Sequence, residues 1–231
     1  LRPEHTLASY VKAIADGADF IEPDLVMTKD SVMICRHEAN IAETTDVAQR
    51  PEFASRKRSL SIDGKTETGW FTTDFTLAEL KTLRAKERLA RLRVHNTRYD
   101  GHFDIPTFEE MIDCVAAEAA ARGRVLGLIP EIKHSTHFHA LGFDPEAVFL
   151  RTIAAHNYTR TAPLEVQSFE TGNLKRIRAD VRAINPQARL MLLMGERKEV
   201  PPDLAARGEK TTFADLMTPA GLKDVRRYAD V

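Results

Sequence analysis

Two short apolar runs of this chain carry charged residues at a spacing that a purely structural strand has little use for. Glu22 and Asp24 stand in DFIEPDLVM, and Glu131 and Lys133 stand in VLGLIPEIKH. Residues two apart on a β-strand point to one face. Carboxylates side by side on that face repel, and burying them costs several kcal/mol unless something neutralises them. A divalent cation is the natural neutraliser, and a hard ion such as Ca²⁺ or Mg²⁺ prefers carboxylate oxygens. Lys133 adds a fixed positive charge at the same mouth. Carboxylates, a cation and a lysine together suit an anionic substrate, most simply a phosphate ester. Phe20, Ile21, Leu25 and Val26 mark the first run as a buried strand rather than an exposed edge. For Glu131 and Lys133 the alternative is a strand-end ion pair, which is common and worth little. Their place at the C-terminal end of a strand favours function, because α/β barrels build their sites there.

Histidine supplies the next candidates. His37 directly follows a short strand that returns from the first run, which raises it above the usual surface histidine. His5, His95, His102 and His156 have weaker claims. His134, His137 and His139 invite a zinc reading, but their spacing fits poorly and no cysteine lies nearby, so a loop facing the pocket is expected. Trp70 and Phe71 could cover a substrate, and the preferred reading makes them a small local core. Cys35 and Cys114 read as small buried apolar residues, with no spacing for zinc or a redox pair.

The elements that must position these residues follow from periodicity. Leu7, Tyr10, Val11, Ile14 and Ala15 repeat at helical spacing, with Pro3 in the first turn and Gly17 after the end. A strand over 19–27, a turn at TKDS and a strand over 32–36 make a hairpin ending at His37. Residues 38–106 are polar and irregular, with one short helix that has Thr76 as its N-cap. Then come helix 107–122, strand 125–131, helix 145–157, strand 164–169, helix 170–184 and strand 189–194. A short helix near 212–216 precedes RRYADV, which reads as the start of another strand. Alternation of helix and strand predicts a parallel sheet with helices outside.

Composition narrows the function classes. The chain has 231 residues with 33 Lys+Arg against 34 Asp+Glu, a net charge of −1. That balance argues against a general nucleic-acid binder, and the basic pieces at 56–58 and 91–95 read as solvated surface. No run of 18 or more apolar residues predicts a transmembrane helix. The chain opens on Leu1 and not Met, so a segment before it is expected to be missing.

Taken together, the stretches PEHTLASYVKAIADGADFIEPDLVMTKD, TTDVA, PEIKH and VQSF, with a histidine after a short strand, resemble the glycerophosphodiester phosphodiesterase family. The likeness runs from Pro3 to about Met194 and is nearest to the bacterial periplasmic type. It implies a TIM (β/α)8 barrel with an insertion after the second strand, at about 38–106. With about five strands readable, that barrel is expected to be incomplete at both ends. It implies Ca²⁺ or Mg²⁺ and hydrolysis of a small-molecule glycerophosphodiester to an alcohol and glycerol 3-phosphate. By the same likeness Glu22, Asp24 and Glu131 are metal ligands, His37 is a catalytic histidine, and Lys133 contacts the phosphate. Glu4 matches the acidic residue of the PE motif near the metal, and Gln167 falls on a strand that lines the pocket. The family's first catalytic histidine, in a His-Arg-Gly motif, would lie before Leu1, so half of the acid–base pair is expected here. A periplasmic or secreted location is expected, with a cytoplasmic one as alternative. The rival functions are a phospholipase D-like relative acting on lysophospholipid or sphingomyelin, and a non-catalytic binder of phosphodiesters or metal.

Overall fold

Thr6, and not Pro3, starts the first helix. The computed structural model describes residues 1–231 and places α1 at Leu7–Ala15. Thr6 Oγ1 accepts from the Ser9 amide while Ser9 Oγ accepts from the Thr6 amide, a capping box that satisfies two end donors. Gly17, at φ +101°, turns the chain out of the helix.

The strand expected over 19–27 is two pieces, β1 (Phe20–Ile21) and β2 (Asp24–Met27). Pro23 causes the break, since it has no amide proton to donate and restricts the residue before it. Glu22 and Asp24 therefore do not alternate along one continuous strand: Glu22 is exposed in the gap and Asp24 is buried at the start of β2. The hairpin is as expected. β3 (Met33–Cys35) runs antiparallel to β2 with Leu25 opposite Cys35 and Met27 opposite Met33.

Residues 38–106 are more ordered than their polarity suggests. They hold 3₁₀ turns at 47–49, 51–56, 72–74 and 94–99 and an unforeseen hairpin, β4 (Arg58–Ile62) with β5 (Lys65–Gly69). Asp63 and Gly64, at φ +50° and +79°, form its two-residue turn, the Asp-Gly chemistry that matches strand twist. Phe53, Trp70, Phe71, Phe75 and Leu80 are buried together here, and the Trp70 indole donates to Phe53 O at 2.7 Å. Trp70 and Phe71 are thus a local core. α2 (Leu77–Leu80) and α3 (Phe108–Arg122) each start on a capping box, Thr76–Glu79 and Thr107–Glu110. Cys35 is fully buried, whereas Cys114, on α3, is only half-buried, short of the expectation.

Contacts divide the chain into units 1–126 and 127–231. In the second, the strand expected over 125–131 is again split by a proline, Pro130, into β6 (Gly127–Leu128) and β7 (Glu131–Ile132). The stretch with His134, His137 and His139, expected as a loop, is α4 (Ser135–Ala140). α5 (Pro145–Ala155) and α6 (Asn157–Thr161) lead to β8 (Glu165–Ser168); α7 (Thr171–Ile184) leads to β9 (Arg189–Leu192). β7, β8 and β9 pair in parallel with Glu131 opposite Gln167 and Gln167 opposite Met191. α8 (Pro202–Ala206), α9 (Phe213–Leu216) and α10 (Pro219–Val225) close the unit, and Asp203 caps α7 through the amides of Thr171 and Gly172. RRYADV forms no strand. Its end merely lies along β9, with the Leu192 amide donating to Val231 O at 3.0 Å.

Candidate active site

In the first unit the hairpin, the start of α1 and the chain after β3 bring Glu4, His5, Glu22, Asp24, Arg36 and His37 into one neighbourhood. Glu22 and Asp24 each offer a carboxylate oxygen within 4.8 Å of the other's. Asp24 is 3% exposed. Its Oδ2 lies 3.1 Å from His5 Nε2. The other nitrogen of His5 lies 3.0 Å from the Tyr10 hydroxyl. His5 is itself buried, and burial lowers its pKa against the opposing pull of Asp24.

Arg36 holds the surrounding backbone. It has no solvent exposure. Its Nε donates to Cys35 O (2.7 Å), Nη1 to Thr44 O (3.2 Å), and Nη2 to Glu4 O (2.6 Å) and His5 O (3.0 Å). One guanidinium therefore ties the PEHT segment to the end of β3 and to residue 44. His37 comes next in the chain, partly exposed. Its Nδ1 lies 3.0 Å from Glu38 Oε1, without the alignment of a hydrogen bond. The rings of His5 and His37 are 6.4 Å apart.

Glu4 is engaged by a residue of the 38–106 stretch. Arg88 donates to both its oxygens, at 2.8 and 3.1 Å. Burial pushes the Glu4 carboxyl up, but Arg88 outweighs it and holds the pKa below the ordinary value. A substrate contact through Glu4 would therefore also involve the Arg88 guanidinium.

In the second unit, Glu131 and Lys133 are both buried at the end of β7, with Lys133 Nζ 3.4 Å from Glu131 Oε1. Gln167 is their register neighbour on β8, and its Nε2 donates to Ile129 O at 3.2 Å. His139 approaches Asp144 and Glu146, whose ligand atoms lie within 4.8 Å of one another. Glu146 is already bound by Ser135 Oγ (2.5 Å), His139 Nε2 (2.6 Å) and the Arg176 guanidinium. A cation there would have to displace Arg176, so this cluster reads as a tie between α4, α5 and α7.

Glu22 and Asp24 fit a hard divalent cation: the donors are carboxylate oxygens, with no thiolate in the set. Sequence reasoning ranked His5 low and missed Arg36, Tyr10 and Arg88. Only the Arg-His pair at 36–37 and the histidine inside PEHT gave any signal.

Comparison with known proteins adds a second line. The model of the Glycerophosphoryl diester phosphodiesterase family matches residues 1–228. A glycerophosphodiester phosphodiesterase of Arabidopsis thaliana is 41% identical over 185 residues, covering 74% of this chain and 48% of that protein. One from Haemophilus influenzae is 31% identical over 188 residues, covering 78% of this chain and 49% of that protein. The chain thus spans about half the length of these relatives. The solved structure of an Oleispira antarctica phosphodiesterase in complex with the product sn-glycerol-3-phosphate aligns with a TM-score of 0.57 at 19% identity. That alignment covers 99% of this chain and 76% of that one. At that identity the likeness is one of fold, and the fold class is the α/β TIM barrel.

Proposed function

This chain belongs to the glycerophosphoryl diester phosphodiesterase family, and on that premise we propose that it serves metal-dependent hydrolysis of glycerophosphodiesters to an alcohol and glycerol 3-phosphate. The observation that carries the reading is a buried Asp24 with Glu22 beside it and His37 at the end of the adjoining hairpin. Glu22 and Asp24 would hold Ca²⁺ or Mg²⁺, and the family likeness gives Glu131 the same role. The bound cation supplies Lewis-acid neutralisation of the phosphate oxygens and a template for the substrate.

The chain's own residues do the rest. Lys133 places a fixed ammonium where negative charge grows in the transition state. His37 moves the proton, taking it from the attacking hydroxyl or giving it to the departing alkoxide. The Glu38 carboxylate stands 3.0 Å from its Nδ1, which leaves the far side of the ring, with Nε2, to face the substrate. In-line attack at phosphorus forms one P–O bond as the P–O bond to the alcohol breaks. The attacking oxygen is water, or the substrate's adjacent hydroxyl followed by water. By the family likeness Glu4, held by Arg88, and Gln167 would serve as substrate-positioning groups.

His37→Ala in the full-length protein tests the proton-transfer role. Turnover of a glycerophosphodiester should fall by on the order of 10²-fold or more. Affinity for Ca²⁺ or Mg²⁺, measured by calorimetry, should barely change. Near-normal turnover would refute the assignment.

A further inference from the structure

We propose that His5 is a positioning residue of the metal centre: it fixes Oδ2 of Asp24, so that this carboxylate presents one defined oxygen to the cation. This rests on the metal-centre reading above and goes beyond it, since nothing in the sequence pattern or the comparisons gives His5 a role.

The hydrogen-bond network decides the tautomer. The backbone amide of Asp24, which can only donate, points at His5 Nδ1 from 3.4 Å. That contact is long, but its sense is fixed, so Nδ1 is an acceptor. The Tyr10 hydroxyl at 3.0 Å then also donates to Nδ1. In the neutral ring the proton must sit on Nε2, which faces Asp24 Oδ2 at 3.1 Å. The result is a directed chain, Tyr10 O–H to His5 Nδ1 and His5 Nε2–H to Asp24 Oδ2. Partners of this kind set the orientation of a ligating carboxylate.

The same geometry rules out a direct acid–base role. His5 stands with its ring 6.4 Å from that of His37, where a second catalytic histidine could be sought. Yet both its nitrogens are engaged and the residue is only 8% exposed. It has no free nitrogen to offer a substrate.

The backbone also points to a held position. His5 adopts φ +51°, a left-handed conformation uncommon for any side chain but glycine. Such conformations persist where the surroundings over-determine them. Here Arg36 does so, its Nη2 donating to the carbonyls of both Glu4 and His5. The buried arginine sets the backbone of His5, and His5 sets Asp24.

Three variants of the full-length protein test this: H5Q, H5L and Y10F, each titrated with Ca²⁺ and Mg²⁺ after chelator removal. Glutamine keeps a donor near the place of Nε2, and leucine keeps bulk without one. H5L should lose about 10–100-fold in cation affinity, and H5Q should recover most of it. Y10F should weaken binding by several-fold. With metal saturating, H5L should return to a near-normal KM for the phosphodiester. H5L binding as tightly as wild type would overturn the role of His5, as would H5Q binding as weakly as H5L. If H5L does not fold, H5Q and Y10F decide: a wild-type affinity in Y10F, or a leucine-like loss in H5Q, overturns it. A wild-type protein that binds neither cation overturns the metal reading itself, which separates the two failures.

Discussion

Arg36 shows how a residue with no chemistry of its own governs the residues that have it. A guanidinium buried without a carboxylate partner is unusual, and desolvation lowers its pKa. Here the carbonyls of Glu4, His5, Cys35 and Thr44 take the place of water. Replacing it by methionine keeps the bulk and strands these acceptors. Each buried acceptor left unsatisfied costs about 1–3 kcal/mol. Arg36→Met should therefore destabilise the protein by at least about 3 kcal/mol in a denaturant melt. A loss under about 1 kcal/mol would contradict the role given to Arg36. Glu22 and Asp24 stand out in the sequence because carboxylates in an apolar run are conspicuous on their own, and His37 stands out by its place after the hairpin. Arg36 and His5 do not, because their roles depend on carbonyls and side chains brought in from elsewhere in the chain.

At the scale of elements, local rules that need only a few residues read correctly, and those set by a single proline did not. The helix expected over 107–122 is α3, and Thr76 is the N-cap expected for α2. Pro23 and Pro130 interrupt apolar runs whose composition predicts continuous strands, because each removes a ladder donor. The hairpin β4–β5 was missed despite its Asp63-Gly64 turn, since its strands carry mainly polar and exposed residues. Helix α2 offers a pH test. Arg56, then the Thr76 amide, holds the Glu79 carboxyl at about 2 against an ordinary value of 4.5. A carboxyl depressed on folding stabilises above its unfolded pKa and loses that contribution as pH falls toward the folded one. Glu79 is partly exposed, so the effect is limited to about 1 kcal/mol, or roughly 2–4 °C in Tm. Glu79→Gln should melt below wild type at pH 7, with a gap that is constant down to about pH 5 and closes toward pH 2. A gap unchanged between pH 7 and about pH 3 would show that the Arg56 contact is not its source.

The whole molecule carries two signals, its family and its fold class. Family membership rests on a match over residues 1–228, and the fold class on solved structures. Reading the whole chain for alternation of helix and strand was enough for the α/β class, because that signal accumulates over many elements. No helix is long and apolar enough to cross a membrane. The proposed function requires that carboxylates of this chain hold a divalent cation on which phosphodiester hydrolysis depends. Its most direct test is release of glycerol 3-phosphate from glycerophosphocholine by the full-length protein, before and after exhaustive dialysis against a chelator. Release should fall to background on chelation and return with Ca²⁺ or Mg²⁺, but not in Asp24→Asn. A rate that survives chelation unchanged would contradict it.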